Sequence, residues 1–356
     1  MSYDERIEEL QEELSNTKYN KRTQHAIGLL KAKIARLKAK QGKSGGGKKG
    51  GGYSVKKTGD ATVVILGFPS VGKSTLLNKL TNQESKIGGY DFTTLSVIPG
   101  LMEYNHAKIQ LLDIPGIIEG AASGKGRGLE IFSVLRNADL CLIIVDVKKV
   151  IQHDKIVREV YESGIRLNKE KPDVRIKKTS KGGIIIGKTV KLNMTNDTIK
   201  GIMQELGLNN AEILIRTKID EDELIDCLED NRAYIQAITV VNKIDLVGNK
   251  KHSVIADAFI SAESGLGVEK LKALIFKKLG LINIFMKEPG KEADREEPLI
   301  MKQGCVVSDV CKKLHRTFIS RFRFARIWGK SAKFNGQRVM LRHKLQSNDI
   351  VELHIR

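Results

Sequence analysis

The 356-residue sequence predicts an α/β chain built on a doubly wound, mostly parallel sheet, and three observations lead to that class. Short apolar, β-branched runs recur at 61–67, up to 113, at 140–146 and from 237, as in strands covered on both faces. Helical patterns lie between several of them, which is the alternation of a sheet with crossover helices. The alternation then breaks once. Between Asp146 and Asn242 there are far more residues than the roughly 30 of a whole crossover unit, so that stretch carries structure of its own.

Taken in order, residues 2–40 read as a helical hairpin. Ile7, Leu10 and Leu14 form one stripe at helical spacing, and Ile27, Leu30, Ile34 and Leu37 form a second. Ser15, Asn16 and Thr17 offer the break and a new N-cap between them. Lys31, Lys33, Lys38 and Lys40 fill the other faces, and 42–52, GKSGGGKKGGG, is a basic flexible linker. Strands follow at 61–67, ending at 113, at 140–146, from 237 to 241 and within 254–260. Val268, Leu271, Leu274 and Ile275 place an amphipathic helix over 266–279, stopped by Gly280. Inside the long gap, 183–192 and 211–218 are strand-like and 195–206 and 220–228 helical, which makes a small α+β domain inserted at 164–232. The last part has candidate strands at 281–286, 324–328, 339–341 and 350–355, and a helix over 308–315 with Ser308 as its N-cap. The expected division is 1–57, 58–163, 164–232, 233–280 and 281–356.

The hydrophobic fraction is 41% and the mean hydropathy −0.24, enough for real cores. No apolar run of the roughly 18 residues a membrane span needs occurs, and the acidic start is not that of a signal peptide. A cytoplasmic protein with no membrane partner is expected. The four cysteines have no paired C-x-x-C spacing, which argues against a zinc site, and Cys141 lies in a core strand. The net charge of +19 is concentrated at the two ends: thirteen Lys or Arg and no acid from Leu14 to Gly59, then twelve Lys or Arg and one acid from Met301 to Ser347. That asymmetry points to a polyanionic partner, most simply RNA.

Three motifs carry the chemistry. Gly67-Phe68-Pro69-Ser70-Val71-Gly72-Lys73-Ser74 follows a strand, and Thr75 continues into a helix, which is the context a phosphate-binding P-loop needs. The glycines let backbone N–H groups surround phosphates, Lys73 would bridge the β- and γ-phosphates, and Ser74 would ligate Mg²⁺. Asp113-Ile114-Pro115-Gly116 ends another strand; its acid suits Mg²⁺ through a water, and the Gly116 N–H the γ-phosphate. Asn242-Lys243-Ile244-Asp245 ends a third. Asp245 can accept from the guanine N1–H and 2-amino group, donors adenine lacks, so GTP or GDP is the expected ligand. Ser261 and Ala262, after a further strand, are placed to support the base through a backbone N–H.

The strings GFPSVGKSTLLNKLT from Gly67, GGYDFTTLSVIPG from Gly88, LLDIPGIIEGAASGKGRG from Leu111 and NKID from Asn242 resemble the Obg superfamily of GTPases and, within it, the developmentally regulated GTP-binding proteins. The resemblance runs over essentially the whole chain. It implies a P-loop G domain with an N-terminal helical domain, an insert like a ribosomal-protein fold and a C-terminal TGS domain of β-grasp type. It makes Tyr90 to Leu95 switch I, with Thr94 as its Mg²⁺-binding and catalytic threonine, Thr93 standing beside it as the alternative. It makes Ile117 to Gly128 switch II. Ile117 stands where many small GTPases have a water-positioning glutamine, so slow intrinsic hydrolysis is expected, with a partner, an ion or a rearranged switch completing the site. Lys125 and Arg127 read as solvated switch cations, with a catalytic role as the alternative. Some relatives hold K⁺ on a P-loop asparagine; this chain has Ser70 there, which leaves K⁺ an open alternative.

Near the C-terminus, cations alternate with rings through Lys312, Lys313, Arg316, Phe318, Arg321, Phe322, Arg323, Phe324, Arg326 and Trp328. The cations are expected on RNA, and some of the rings in the core of the last domain. The whole reading is a monomeric GTP-hydrolysing switch whose nucleotide state controls docking on ribosomes or other RNA, with a regulatory protein as a further expected partner. A constitutive RNA-binding module with a structural G domain is the alternative.

Overall fold

The computed structural model describes residues 3–20, 22–44, 59–81, 98–114, 133–247 and 256–356. The chain divides into two compact units, Met1–Gly52 with Gly164–Tyr234, and Tyr53–Ser163 with Ile235–Arg356. The first unit opens with α1 (Tyr3–Asn16) and α2 (Gln24–Ser44). The second begins with β1 (Ala61–Leu66), α3 (Lys73–Leu80), β2 (Ile98–Tyr104), β3 (Ala107–Asp113), β4 (Leu140–Asp146) and α4 (Gln152–Glu162). The first resumes with β5 (Ile165–Leu167), β6 (Val174–Lys178), β7 (Ile184–Lys188), α5 (Asn196–Glu205), β8 (Ala211–Ile215) and α6 (Glu221–Glu229). β9 (Ala233–Asn242) leads back, and β10 (Ala258–Phe259) and α7 (Val268–Lys278) complete the G-domain elements. Last come β11 (Leu281–Lys287), β12 (Leu299–Lys302), α8 (Val307–Leu314), α9 (Thr317–Arg321), β13 (Phe322–Trp328), β14 (Gln337–Val339) and β15 (Asp349–Ile355).

The sheet of the second unit runs β10-β9-β4-β1-β3-β2. Every neighbouring pair is parallel except β2–β3. β1 and β4 are buried along their whole length, the pattern of strands covered on both faces. Ile65, Leu142 and Ile144 pack with Leu76 and Leu80 of α3 and Leu271 and Ile275 of α7 in one core. The β2–β3 hairpin turns on Asn105 and His106, both at positive φ, as a two-residue turn matched to strand twist requires.

The C-terminal part is a five-stranded sheet, β12-β11-β15-β13-β14, with β11 and β15 parallel. Ala325, Ile327, Ile284 and Val351 pack with Val307, Val310 and Cys311 of α8. One expectation changes here. Ser308 is not the cap of α8: the helix starts at Val307, and the Asp309 carboxylate takes the Val306 N–H at 3.1 Å. Some of the alternating rings join the core, as expected, but Phe324 and Trp328 are not among them. Strand alternation puts Ala325 and Ile327 inside, while Phe324 stacks on His354 (4.2 Å between centroids) beneath Arg338, and Trp328 lies under Lys287. Only Phe322 and Phe318 of the rings pack on that core. β12 was not foreseen.

This sheet is held to the N-terminal ends of the G-domain strands by two divided carboxylates. Asp139 accepts from the Thr62 N–H and from Lys302 Nζ (2.7 Å). Asp60 accepts from the Lys108 N–H and from Lys313 Nζ (3.0 Å). Lys302 and Lys313 are thereby drawn into an intramolecular role.

In the first unit, β6-β8-β7 form a three-stranded sheet with α5 and α6 on one face. β5 and β6 were not foreseen, and β7 and β8 end earlier than expected. The hairpin is not a domain of its own: Ala32 lies in the core of the insert, and Gly28 approaches so closely that a Cβ there would sit 3.2 Å from Ile202 and Thr198. Gln24 Nε2 donates to Glu221 Oε1 (2.6 Å), and Lys31 pairs with Asp222 (2.7 Å). The break between α1 and α2 comes later than expected, since Ser15 and Asn16 still belong to α1, and Asn20 is the cap, its Oδ1 accepting from the N–H groups of Arg22 and Thr23. α2 also runs to Ser44, past the start of the expected linker, whose residues 45–52 lie outside the described ones. Gly28→Val should lower the stability of this unit by roughly 1–3 kcal/mol through overpacking. Chemical denaturation should show this, with GDP affinity unchanged.

Candidate functional site

Residues from five strand ends meet at one edge of the parallel sheet. β1 runs into the P-loop, β3 ends on Asp113, β4 on Asp146, β9 on Asn242, and Ser261 follows β10. Ligands of open α/β sheets bind at these carboxyl ends, because the loops there are free to vary while the strands hold them in place.

In the P-loop, Gly72 precedes α3 with φ +93°, a left-handed conformation that only glycine adopts readily. A Cβ on Gly72 would stand 2.5 Å from Asn242 Nδ2, and one on Gly67 would stand 2.7 Å from the Ile144 carbonyl oxygen. Both glycines are therefore required by close approach. Lys73 is buried and folds over the loop, donating to the carbonyl oxygens of Gly67 (2.9 Å) and Phe68 (3.0 Å). Burial pushes its ammonium pKa down, with Asp113 opposing. Ser74 Oγ donates to Asp113 Oδ2 at 3.3 Å. The other oxygen, Oδ1, is buried with no hydrogen-bond partner among the described residues. Burial pushes this carboxyl pKa up, against the pull of Lys73 and Ser74. An acidic oxygen left unsatisfied beside a serine hydroxyl, under a phosphate-binding loop, fits a hydrated divalent cation.

The base side is built around Asn242, which is 1% exposed. Its Nδ2 donates to the Val71 carbonyl oxygen (2.9 Å), and its Oδ1 accepts from the Ala262 N–H (2.9 Å). Lys243, at φ +66°, reaches back to the Ser70 carbonyl oxygen at 2.7 Å. Asp245 is exposed in the short turn Ile244–Leu246. One expectation changes: the Ala262 N–H goes to Asn242 and the Ser261 N–H to the Leu266 carbonyl, so this pair positions the loop rather than offering those groups to a base. Phe68, Pro69, Ser70 and Val71 lie in the loop, Thr75 in α3 and Ile114 directly after β3, with Val71 and Ile114 buried. Thr94, Thr93 and the rest of 90–95, Pro115, Gly116, and Ile117 to Gly128 with Lys125 and Arg127 lie outside the described residues.

Sequence reasoning missed Asp146. It ends β4 level with Asn242 in the strand register, and its Oδ2 takes the second Lys243 hydrogen bond at 2.9 Å. Burial pushes its carboxyl pKa up, but the Lys243 ammonium and the Lys148 N–H outweigh this and hold it below the usual carboxylate range. Its signal was available: an acid closing the otherwise wholly apolar run LCLIIVD.

Strand, P-loop and helix, with Asp113 and the Asn242–Asp245 loop at the same edge of the sheet, define a P-loop GTP-binding protein. Three family descriptions match in turn: a 50S ribosome-binding GTPase over 62–178, the C-terminal region of that domain over 181–281, and a TGS domain over 282–355. An uncharacterised GTP-binding protein of Methanocaldococcus jannaschii is 48% identical over 366 residues, covering 100% of this chain and 94% of its own. Developmentally-regulated GTP-binding protein 1 of Xenopus laevis is 41% identical over 359 residues, covering 98% of each chain. The chain belongs to the developmentally regulated GTP-binding protein family. The solved structure of Aquifex aeolicus Era bound to GDP·AlF4⁻ aligns with a TM-score of 0.35 at 19% identity over 76% of this chain and 72% of that one.

Asp146→Asn should weaken GDP binding about fivefold, the equivalent of about 1 kcal/mol for loosening a part-buried charged hydrogen bond. Titration with a fluorescent GDP analogue checks this, and an unchanged affinity would show that Lys243 holds its place without the carboxylate.

Proposed function

We propose that the protein hydrolyses GTP to GDP and phosphate, with Mg²⁺, as a switch that controls its docking on ribosomes or other RNA in the cytoplasm. The observation that carries the reading is the pairing of Ser74 and the unsatisfied Asp113 oxygen beneath the P-loop with an exposed Asp245 on the base side. Ser74 directly, and Asp113 through water, would hold Mg²⁺, which when bound neutralises charge on the β- and γ-phosphates. Lys73 leaves its two loop carbonyls for those phosphates, and Asp245 selects guanine by accepting two hydrogen bonds. Thr94 and the Gly116 N–H would complete the γ-phosphate contacts.

The RNA side rests on the two basic ends of the chain and on the ribosome-binding description that the G-domain family carries. Hydrolysis is expected to be slow on its own, because Ile117 cannot orient a water. Exchanging K⁺ for Na⁺ decides whether a monovalent cation joins the site at Ser70; an unchanged rate removes it.

Asp245→Asn should move preference from guanine toward xanthine nucleotides, and unchanged GTP affinity would sink the base assignment. Co-sedimentation with ribosomes across a salt series should show the form bound to a non-hydrolysable GTP analogue surviving higher salt than the GDP form. If both dissociate together, the RNA-binding module with a structural G domain is the better reading.

A further inference from the structure

The insert carries a surface that nucleotide chemistry does not use. From Val174 to Asn193 there are six cations, Arg175, Lys177, Lys178, Lys181, Lys188 and Lys191, and neither an acid nor an aromatic residue. The strand register shows how the fold arranges them. Val174, Ile176, Ile184 and Ile186 face the helices and pack on the core of the insert. Alternation turns Arg175, Lys177 and Ile185 to the other face of the sheet, and Ile185 is 59% exposed. Across the three strands that face reads Arg175–Leu214–Gly187 in one row and Lys177–Glu212–Ile185 in the next. Glu212 is its one acid, 3.9 Å from Lys177.

At the edge of this face the chain makes a closed loop, Thr179 to Gly183. Its neck is tied by one residue: the Asn210 carbonyl accepts from the Thr179 N–H (3.1 Å), and Asn210 Oδ1 accepts from the Gly183 N–H (2.9 Å). Gly183 returns its carbonyl to the Ala211 N–H at 3.0 Å. Gly182 and Gly183 are at φ +106° and +71°, and a Cβ on either would meet nothing within 4 Å. These glycines are needed for backbone conformation and not for packing. Lys178 precedes the loop and Lys181 lies within it, and both are exposed. Seven of the insert's acids lie between Asp220 and Asp230, on and beside α6, whose Leu224 and Ile225 join the core on the covered side of the sheet.

We propose that this loop and the open face of β6-β8-β7 bind the sugar–phosphate backbone of RNA. The proposal rests on the reading that the partner contains RNA, and it assigns a contact surface separate from the two basic chain ends. Charge complementarity selects the ligand. Arg175 and Lys177 are about 6.6 Å apart along the strand, close to the separation of successive phosphates. Lysines with exposed backbone are what positions proteins on phosphates. A protein partner would be expected to meet aromatic anchors, and this surface has none. The same lack removes base stacking, so binding here is independent of base sequence.

The test uses the full chain and a fluorescein-labelled RNA duplex of about 20 base pairs in two unrelated sequences, read by anisotropy over a salt series. Replacing Lys177, Lys178 and Lys181 together with Ala should weaken binding roughly tenfold near 0.1 M salt. It should also flatten the plot of log K against log salt by about 2 to 3, since each lost phosphate contact removes close to one unit. Both sequences should respond alike, and Arg at the three positions should restore binding. A control triple of equal charge, Lys270→Ala, Lys277→Ala and Lys278→Ala on α7, should leave the slope unchanged. Equal losses in both triples would overturn the proposal and leave only a general positive field. So would displacement by polyglutamate as effective as by unlabelled RNA, which would point to an acidic protein instead. Loss of nucleotide dependence in ribosome co-sedimentation would sink the switch reading while leaving this result standing.

Discussion

The nucleotide site depends on one buried amide. Asn242 joins the P-loop, through Val71, to the loop after β10, through Ala262, and both hydrogen bonds are satisfied out of water. Removing either partner would leave a buried polar group at a cost of about 1–3 kcal/mol, so three loops from distant parts of the chain move as one body. The same side chain explains a glycine. Gly72 has no room for a Cβ because Asn242 Nδ2 occupies that space, and its left-handed φ aims the start of α3 at the phosphate position. Asp146 and Lys243 extend the arrangement by one more hydrogen bond to Ser70.

The second unit uses both ends of its parallel sheet. The carboxyl ends of the strands carry the nucleotide motifs, and the amino ends carry Asp60 and Asp139, each dividing its two oxygens between a strand backbone and a lysine of the β-grasp domain. Leu281 and Ile300 of that domain also join the G-domain core. These pairings use cations that composition alone would count toward an external polyanion. In the first unit the separation is within one small domain, with acids on α6 and cations around β6 and β7. A net charge of +19 therefore says less about RNA contact than the location of those cations that have no internal task.

Much of the architecture was legible because it repeats local rules. The apolar runs of β1 and β4, the period of Ile199, Ile202 and Met203 in α5, and the stripe of α7 each follow from burial of one pattern. What was missed has a common cause. β5, β6 and β12 are short or polar on one face, and they exist because neighbouring strands supply hydrogen bonds, not because their residues announce a strand. Ser308 was a reasonable cap by residue type, but Asp309 reached the Val306 N–H from inside the helix. Asn20 capped α2 in place of the earlier Ser15–Thr17 for a similar reason: its side chain accepts two N–H groups at once.

By itself the sequence determined the fold class and the motifs of a GTP-binding protein. Those motifs are particular residues at short, fixed spacings after strands, and such spacings survive in one dimension. Only the tertiary structure decided which groups are already engaged. The Ala262 N–H is taken by Asn242, Lys302 and Lys313 by carboxylates across a domain boundary, and the hairpin's Gln24 and Lys31 by the insert. Those pairings join residues far apart in the chain. Their energies depend on burial and angle, and neither is defined until the chain has closed around them.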